Sequence, residues 1–435
     1  MIRSFIIVAA IWLFSENGCL AFQNRPFGSI SRTSLLDRRV ISSSTSRNAV
    51  HPLKDMDSYS LRIGIAGAGA IAFGTASILS KNGYHDVTLW SPSGKGTVDL
   101  AAQSIDEAET LTSTGALHHE STPNVALDAK ELVTQSDVLI VALPANGHKQ
   151  VFDAIAPHLA SLQTTRHIIV SSHASLGALY LSQLLADSKS RHIITSWGTT
   201  VCTARRTSGQ TVDIKTIRKS VDTCCVPEDK TSLSLGICNQ LFPDIDFKNR
   251  EGLLAISLSN LNPQNHLAIS MGNISRMDKG EEWYQFQNIT PRIGGFLEGL
   301  DRERLEIAKV LGVDVKTVYE HLSLSFHVPI SGTISEMCQE IHAKGNDVCG
   351  PNVADTRYIT EDVPFGLALI VALGKLVNRP AVLHESGLLI CNSMYGRDFS
   401  AENDLLQAIS MDDLNLEDLK EAVRTGQLQK DMVPP

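Results

Sequence analysis

Two polar motifs in the second half of the sequence contain residue types that could carry out chemistry. The first is NLNPQNH, which ends at His266, and the second is RYITEDVPFG, which spans residues 357–366. A histidine exchanges protons near neutral pH, an aspartate can orient it, and an arginine binds carboxylates through paired hydrogen bonds. Plainer interpretations stay open at this point. His266 could be a satisfied polar histidine near a helix start, Asp362 a helix N-terminal acid and Arg357 part of a surface ion pair.

Such residues need an element that holds a co-reactant, and the first half of the sequence contains a candidate. An apolar strand at 61–66 runs into the turn Gly67-Ala-Gly69-Ala-Ile-Ala72, a helical stretch ends at Lys81, and a second strand covers 86–90. A glycine-rich turn between strand and helix lets backbone N–H groups reach a pyrophosphate at the positive end of the helix. The order strand, turn, helix, strand within about 30 residues predicts a dinucleotide site.

Further apolar runs predict more strands of a parallel sheet. They cover residues 137–143, 167–172 and 193–196, and a helical stretch at 149–162 separates the first two. Ligands of such sheets bind at the carboxyl ends of the strands, so Pro144, directly after the first run, should face the cofactor. These elements predict an α/β fold, a Rossmann doubly wound parallel sheet, over residues 59–250.

The sequence changes character after this sheet, because helical spacing replaces the short apolar runs. Helices are predicted over 296–311, over 367–376 and in the acidic segment 400–428. The second predicted domain, residues 251–425, is therefore all-α.

The end of the second predicted strand bears on the choice of cofactor. An acidic residue there would hold the ribose 2′-OH of NAD and reject a 2′-phosphate. This sequence has Ser91, Ser93 and Lys95 in that region. Two hydroxyls and a lysine could hold a phosphate, which favours NADP over NAD, although a polar surface loop would have the same composition.

Composition and charge limit the class of partner. The chain is 43% hydrophobic and 20% charged, with a formal net charge of −9. An acidic chain is poorly suited to nucleic acid, so nucleic acid is not predicted as a partner. The eight cysteines show no CxxC pair and no Cys/His run with metal-ligand spacing, so neither a metal site nor a disulfide framework is predicted.

The first 58 residues are predicted to be a targeting sequence. Residues 5–14 (FIIVAAIWLF) follow Arg3 and are too short to span a bilayer, but they suit the apolar core of a signal peptide ending near Ala21. Residues 22–58 begin with an Arg- and Ser-rich, acid-poor stretch that is typical of a transit peptide. The expectation is a plastid protein with a signal peptide (1–21) and a transit-like disordered segment (22–58). Secretion or an endomembrane location is the alternative, and the mature protein should not be embedded in a membrane.

Five segments together resemble the octopine/nopaline (opine) dehydrogenase family, which is related to glycerol-3-phosphate dehydrogenase and ketopantoate reductase. They are GAGAIAFG at 67–74, ALPANGHKQVF at 142–152, NPQNH at 262–266, LDRERLEIAKVLG at 300–312 and RYITEDVPFG at 357–366. The resemblance implies that the helical domain is of the 6-phosphogluconate dehydrogenase C-terminal-like type. It also implies that His266 is the catalytic histidine, Asp362 its partner, Arg357 the group that binds a substrate carboxylate, and Asn262 a residue lining the site.

The same resemblance implies the reaction and its partners. An α-keto acid and an amino acid would condense to an imine, and NADP or NAD bound by Gly67, Gly69, Ala72, Ser91 and Pro144 would reduce it. Two departures bear on substrate and cofactor: Leu267-Ala268 follow the histidine where the family has prolines, and no acid ends the second strand. Reduction of a keto acid or ketone without an amine is the alternative reaction, and a nucleotide-binding sensor without turnover is a third possibility.

Overall fold

The computed structural model describes residues 61–84, 86–98, 100 and 110–428. The predicted signal peptide (1–21) and transit-like segment (22–58) lie outside these residues. Within the described ranges, no helix is both long enough and apolar enough to cross a membrane. The seven cysteines found there are free thiols, and all of them except Cys349 are buried.

Twelve strands in the described part of the chain form two sheets. They are β1 (Ile63–Ala66), β2 (Val87–Trp90), β3 (Leu111–Gly115), β4 (His119–Ser121), β5 (Asn124–Val125), β6 (Val138–Val141), β7 (His167–Ser171), β8 (Ile193–Trp197), β9 (Cys202–Arg206), β10 (Thr211–Ile217), β11 (Ser220–Val226) and β12 (Asp246–Asn249). The main sheet has the order β12-β11-β8-β7-β6-β1-β2-β5. Its six strands from β8 to β5 are parallel, which confirms the Rossmann-type sheet.

One edge of the main sheet, formed by two strands that were not predicted from the sequence, is not parallel to the rest. Strand β11 pairs antiparallel with β8 and parallel with β12, so β11 and β12 run against the other six strands. Between β8 and β11 the chain passes through β9 and β10 without a helix. Parallel neighbours require a crossover connection, usually a helix, and this segment supplies none.

A four-stranded sheet of order β4-β3-β10-β9 was not predicted. It packs against the first helix, α1 (Ala70–Lys81), whose other side faces the main sheet. Gly74 permits this approach, because a Cβ at that position would lie 2.8 Å from the Cys202 sulfur of β9. The helix that begins at the glycine turn is therefore fixed on two sides.

The remaining helices lie on both faces of the main sheet and in the second half of the chain. They are α2 (Ala129–Gln135), α3 (His148–Ser161), α4 (Gly177–Leu184), α5 (Thr231–Leu241), α6 (Gly252–Ser259), α7 (Asn262–Asp278), α8 (Pro291–Leu311), α9 (Val318–Phe326), α10 (Ile334–Ala343), α11 (Arg357–Thr360), α12 (Ala368–Leu376), α13 (Val382–Tyr395), α14 (Asp404–Ala408) and α15 (Leu416–Thr425). A π-helical turn, Val363–Leu367, precedes α12. The predicted helix 296–311 starts earlier, at Pro291, and ends as expected before Gly312, which has a positive φ of 76°.

The two halves of the described chain share a hydrophobic core. One buried cluster contains Val170 of β7, Ile307 of α8 and Leu373 of α12. Strand β12 ends at Asn249 and α6 begins at Gly252, so the architecture changes from sheet to helices close to residue 250. Shared packing holds the carboxyl ends of the strands against the helical half.

Candidate active site

The glycine turn after β1 has the shape that close backbone approach requires. Gly67 has a φ of 141°, and its N–H donates to the Trp90 carbonyl at the end of β2. A Cβ at Gly67 would overlap the Ala142 carbonyl oxygen, and Ala72 is fully buried beneath the turn. Gly69 is the N-cap of α1 and has open space where a side chain would be. The turn thus leaves room for a ligand at the N-terminal end of α1.

A cavity of about 270 Å³ lies between this turn and the helical half of the chain. Its lining from the sheet half is Gly69, Ala70, Ile71, Ala142, Leu143, Pro144, Ser171, Ser172, Thr199, Thr200, Thr203 and Ala204, and from the helical half Asn262, Arg357 and Glu361. Most of the sheet-side residues lie at or just after the carboxyl ends of β1, β6, β7 and β8, where ligands of such sheets bind, and Thr203 and Ala204 lie on β9. The predicted cofactor-facing Pro144 is among these sheet-side residues, and both predicted substrate-binding residues, Arg357 and Asn262, line the cavity from the helical half.

Helix α7 carries the NPQNH motif along one wall of the cavity. It begins at Asn262 with Pro263 in its first turn, a position at which the missing proline N–H costs nothing. Asn262 lines the cavity, and His266 follows four residues later on the same face of the helix. The buried Gln264 amide donates to His384 Nε2 at 3.1 Å, and His384 Nδ1 lies 2.8 Å from Glu303. This chain of buried contacts anchors the motif from behind.

His266 and Asp362 form a buried pair. His266 Nδ1 lies 2.7 Å from Asp362 Oδ2, and the two side chains are 1% and 9% exposed. An ionised carboxylate can only accept, so Nδ1–H is the donor and Nε2 is the ring nitrogen that can exchange a proton. The π-helical turn directly after Asp362 brings Gly366 against Pro263, where a Cβ would overlap the proline ring. A glycine at 366 therefore allows the two motifs to approach each other.

The environment of His266 favours its neutral form. Burial lowers the pKa of His266, and the Asp362 carboxylate opposes this effect without cancelling it. The Tyr358 ring stacks on the imidazole with a centroid separation of 3.5 Å and an interplanar angle of 6°. Tyr358 donates from its hydroxyl to Gln285 Oε1 at 3.1 Å, and burial raises its pKa above the usual range, so it stays protonated. Tyr358 therefore fixes the plane of the His266 ring, and Asp362 holds the same ring through the hydrogen bond at Nδ1.

Arg357 and Glu361 are the charged residues of the cavity lining. They lie one turn apart, with Arg357 Nε 3.4 Å from Glu361 Oε2. The Arg357 side chain is 46% exposed and lines the cavity, where it can reach a bound ligand. Glu361 and Tyr358 were not singled out from the sequence. The spacing of these residues was the available signal. Glu361 lies four residues after Arg357 and Tyr358 four residues before Asp362, and residues four apart share a helical face.

Ser91 lies at the end of β2, beside the glycine turn, as the sequence placed it. Its Oγ is 3.3 Å from Ser93 Oγ, and Lys95 is exposed nearby. Parallel pairing sets Ala66 opposite Trp90, so the residue after β2 is adjacent to the turn that follows β1. Ser91 does not line the cavity itself, and its part in cofactor choice stays a prediction. Among the described residues, no group of three or more His, Cys, Asp or Glu side chains could hold a metal ion.

Comparison with known proteins identifies relatives of both halves of the chain. Residues 249–395 match the family model described as NAD/NADP octopine/nopaline dehydrogenase, alpha-helical domain, and residues 62–175 match that of NADP oxidoreductase, coenzyme F420-dependent. The opine dehydrogenase of Arthrobacter sp. (strain 1C) is 27% identical over 360 residues, which cover 82% of this chain and 96% of that protein.

Solved structures show the same fold. A structure of octopine dehydrogenase with NADH and L-arginine has a TM-score of 0.69 at 18% identity, covering 85% of this chain and 99% of the other. Yersinopine dehydrogenase with NADP⁺ bound has a TM-score of 0.60 at 16% identity, covering 82% and 99%.

Fold and site together define an NAD(P)-dependent dehydrogenase: a Rossmann-type sheet with a glycine turn, facing a helical domain that supplies a histidine–aspartate pair. Within that class, residues 249–395 match the helical domain of the octopine/nopaline dehydrogenase family, which supports the resemblance seen in the motifs.

Proposed function

We propose that the protein catalyses the NAD(P)H-dependent reductive condensation of an α-keto acid with the amino group of an amino acid. The observation that carries this proposal is the buried 2.7 Å contact between His266 and Asp362, which belong to the same two motifs as the cavity-lining residues Asn262 and Arg357. A proton carrier, a carboxylate-binding cation and a cavity at the strand ends are the parts that the reaction needs. Its relatives include an opine dehydrogenase and an octopine dehydrogenase solved with NADH and L-arginine.

The cofactor fits the residues that are present. The positive φ of Gly67, the open space at Gly69 and the N-terminal end of α1 form a cradle that a Cβ would fill or block. These backbone groups would hold the pyrophosphate, with Pro144 beside the nicotinamide half. When bound, the reduced cofactor supplies the hydride that converts the imine to an amine.

Arg357 would hold the keto acid in place. Its half-exposed guanidinium would bind the substrate carboxylate, so that the carbonyl carbon is held at the strand ends. Asn262, at the first turn of α7, would add a hydrogen bond from the same wall. Positioning of this kind removes much of the entropic barrier to reaction between two bound partners.

His266 would move the protons. Its neutral form accepts a proton at Nε2 from the ammonium group of the amino acid, which frees that nitrogen to bond to the carbonyl carbon, and the ring passes the proton to the carbonyl oxygen. A second proton follows the same route from nitrogen to oxygen, so the carbon–oxygen bond breaks, the oxygen leaves as water and a protonated imine remains. Asp362 holds the Nδ1–H and stabilises the positive charge that the ring carries in between. Tyr358 keeps the ring from rotating during these transfers.

The test is a matrix of keto acids and amino acids assayed for oxidation of NADH and NADPH. Consumption of reduced cofactor that requires both a keto acid and an amine supports the proposal. Turnover with a keto acid alone would favour the simpler carbonyl reduction, and no turnover with any pair would favour a sensor. The choice between NAD and NADP follows from the same matrix.

We further propose that residues 1–58 direct the protein to a plastid and are removed there. The support is the short apolar run at 5–14 followed by an Arg- and Ser-rich, acid-poor stretch. N-terminal sequencing of the protein from cells tests this proposal. A mature N-terminus near residue 59 supports a signal peptide followed by a transit peptide, and one near residue 22 supports secretion. A chain that begins at Leu61 should fold and bind nucleotide as well as the full chain does.

A further inference from the structure

Glu361 is a carboxylate inside the cavity to which the reaction described above gives no task. Its Oε1 accepts a hydrogen bond of 3.3 Å from the Ala145 N–H, just past the end of β6. Its Oε2 lies 3.4 Å from Arg357 Nε, and the side chain is 19% exposed. One carboxylate therefore connects the strand-end loop to the arginine expected to bind the keto acid.

The charge of the cavity follows from this arrangement. Apart from Arg357 and Glu361, the residues that line it are neutral. A carboxylate 3.4 Å from Arg357 weakens the attraction of that arginine for a second carboxylate, so a keto acid alone is a poor match for the pair. A keto acid together with an ammonium group matches it, because each charge then has an opposite partner.

We propose that Glu361 binds the ammonium group of the amine substrate and is the residue that makes the site specific for amine-bearing partners. This inference rests on the proposed function. Its geometry is the placement of Glu361 between the Ala145 N–H and Arg357 on the cavity wall, next in sequence to the aspartate that holds His266. The amine would be bound beside the keto acid, with its nitrogen on the side of the site where the proton carrier lies.

The test is Glu361→Gln, which keeps the shape of the side chain and one oxygen that can accept from the Ala145 N–H, but removes the charge and the second oxygen, which faces Arg357 Nε. Because a charge-assisted contact to the ammonium group is lost, KM for the amine should rise about ten- to a hundredfold. KM for the keto acid should stay the same or fall, because its carboxylate no longer shares Arg357 with an internal carboxylate. Glu361→Asp keeps the charge and should restore KM for the amine to within a few-fold of wild type.

Glu385→Gln is the matched control, since Glu385 pairs with Lys375 on the exposed surface and should leave both KM values unchanged. Affinity for NADH, measured by fluorescence, should be the same in all variants. Parallel rises of both KM values, an unchanged KM for the amine or failure of Glu361→Asp to rescue would overturn the inference and make Glu361 a structural residue. Wild-type turnover without any amine would instead refute the proposed function, and the inference with it.

Discussion

His266 Nδ1 lies 2.7 Å from Asp362 Oδ2 although the two residues are 96 positions apart in the sequence. The pairing depends on backbone packing as much as on the side chains. Pro263 starts α7 and Gly366 lies against it, which brings the π-helical turn after Asp362 close to the motif helix. A buried carboxylate in this position orients a histidine and stabilises its charged form. The same contact therefore sets both the geometry and the proton affinity of the ring.

Replacement of His266 with alanine tests the proton carrier. We expect kcat to fall by about 10²–10⁴-fold, the usual contribution of a general acid or base. Affinity for NADH should change little, since the glycine turn belongs to other elements. His158→Ala is the control, because His158 lies near the far end of α3 and its loss should leave kcat unchanged. If the His266→Ala enzyme stayed active, His266 would be a structural residue and not the proton carrier.

Replacement of Asp362 with asparagine should shift the pH profile and reduce kcat by less than His266→Ala does. Burial already lowers the pKa of His266, and the Asp362 charge is the group that raises it. In the oxidative direction the neutral ring is the base, so kcat/KM falls as the pH drops through this pKa, which lies below its ordinary value of about 6.5. Loss of the Asp362 charge should move that acid limb to still lower pH. An acid limb at the same pH in both enzymes would show that Asp362 does not control the proton affinity of His266.

Replacement of Ser91 with aspartate tests the choice of cofactor. An acid at the end of β2 would repel a 2′-phosphate and could accept from a ribose 2′-OH. We expect the ratio of Kd for NADPH to Kd for NADH to rise about tenfold or more. Ser400→Asp adds the same charge at an exposed site of the helical half and should leave the ratio unchanged. An unchanged ratio in Ser91→Asp would mean that the loop after β2 does not contact the ribose.

The parts of the fold that are encoded locally could be predicted from the sequence. Strands β1, β2, β6, β7 and β8 are short apolar runs buried on both faces, and their positions agree with the structure to within two residues. The small sheet was not predicted, although β10 alternates the buried Val212 and Ile214 with Asp213 and Lys215 as a half-buried strand does. Its partner β3 lies about 100 residues earlier, and no local pattern encodes that pairing. Strands β11 and β12 were not predicted, and an apolar run would not have encoded which way its neighbour runs.

In the candidate site too, the locally encoded parts could be predicted from the sequence and the contacts between distant segments could not. The glycine turn and Pro144 could be placed from local sequence, because strand ends have a known relation to ligands. The meeting of His266 with Asp362 could not be derived from spacing and was expected only from the family resemblance. Glu361 and Tyr358 show what the structure adds, since their contacts to Ala145 and to the imidazole ring join elements distant in the chain.

Replacement of Gly366 with alanine tests whether backbone packing produces the catalytic pair. A Cβ at 366 would overlap Pro263, so the π-helical turn must move away from α7 and carry Asp362 with it. Overpacking of this kind typically costs about 1–3 kcal/mol of stability, and a small displacement of the carboxylate should lower kcat by about tenfold or more. Gly295→Ala is the matched control: Gly295 is exposed on α8 and has no atom within 4 Å of an added Cβ. That variant should gain about 0.4–1 kcal/mol, because alanine favours the helix, and should keep full activity. Thermal unfolding and kcat, measured on both variants, show whether this backbone contact is needed for the His266–Asp362 pair. If Gly366→Ala lost stability but kept its kcat and its acid limb, the pairing of His266 with Asp362 would not depend on this contact, and the side chains alone would have to maintain it.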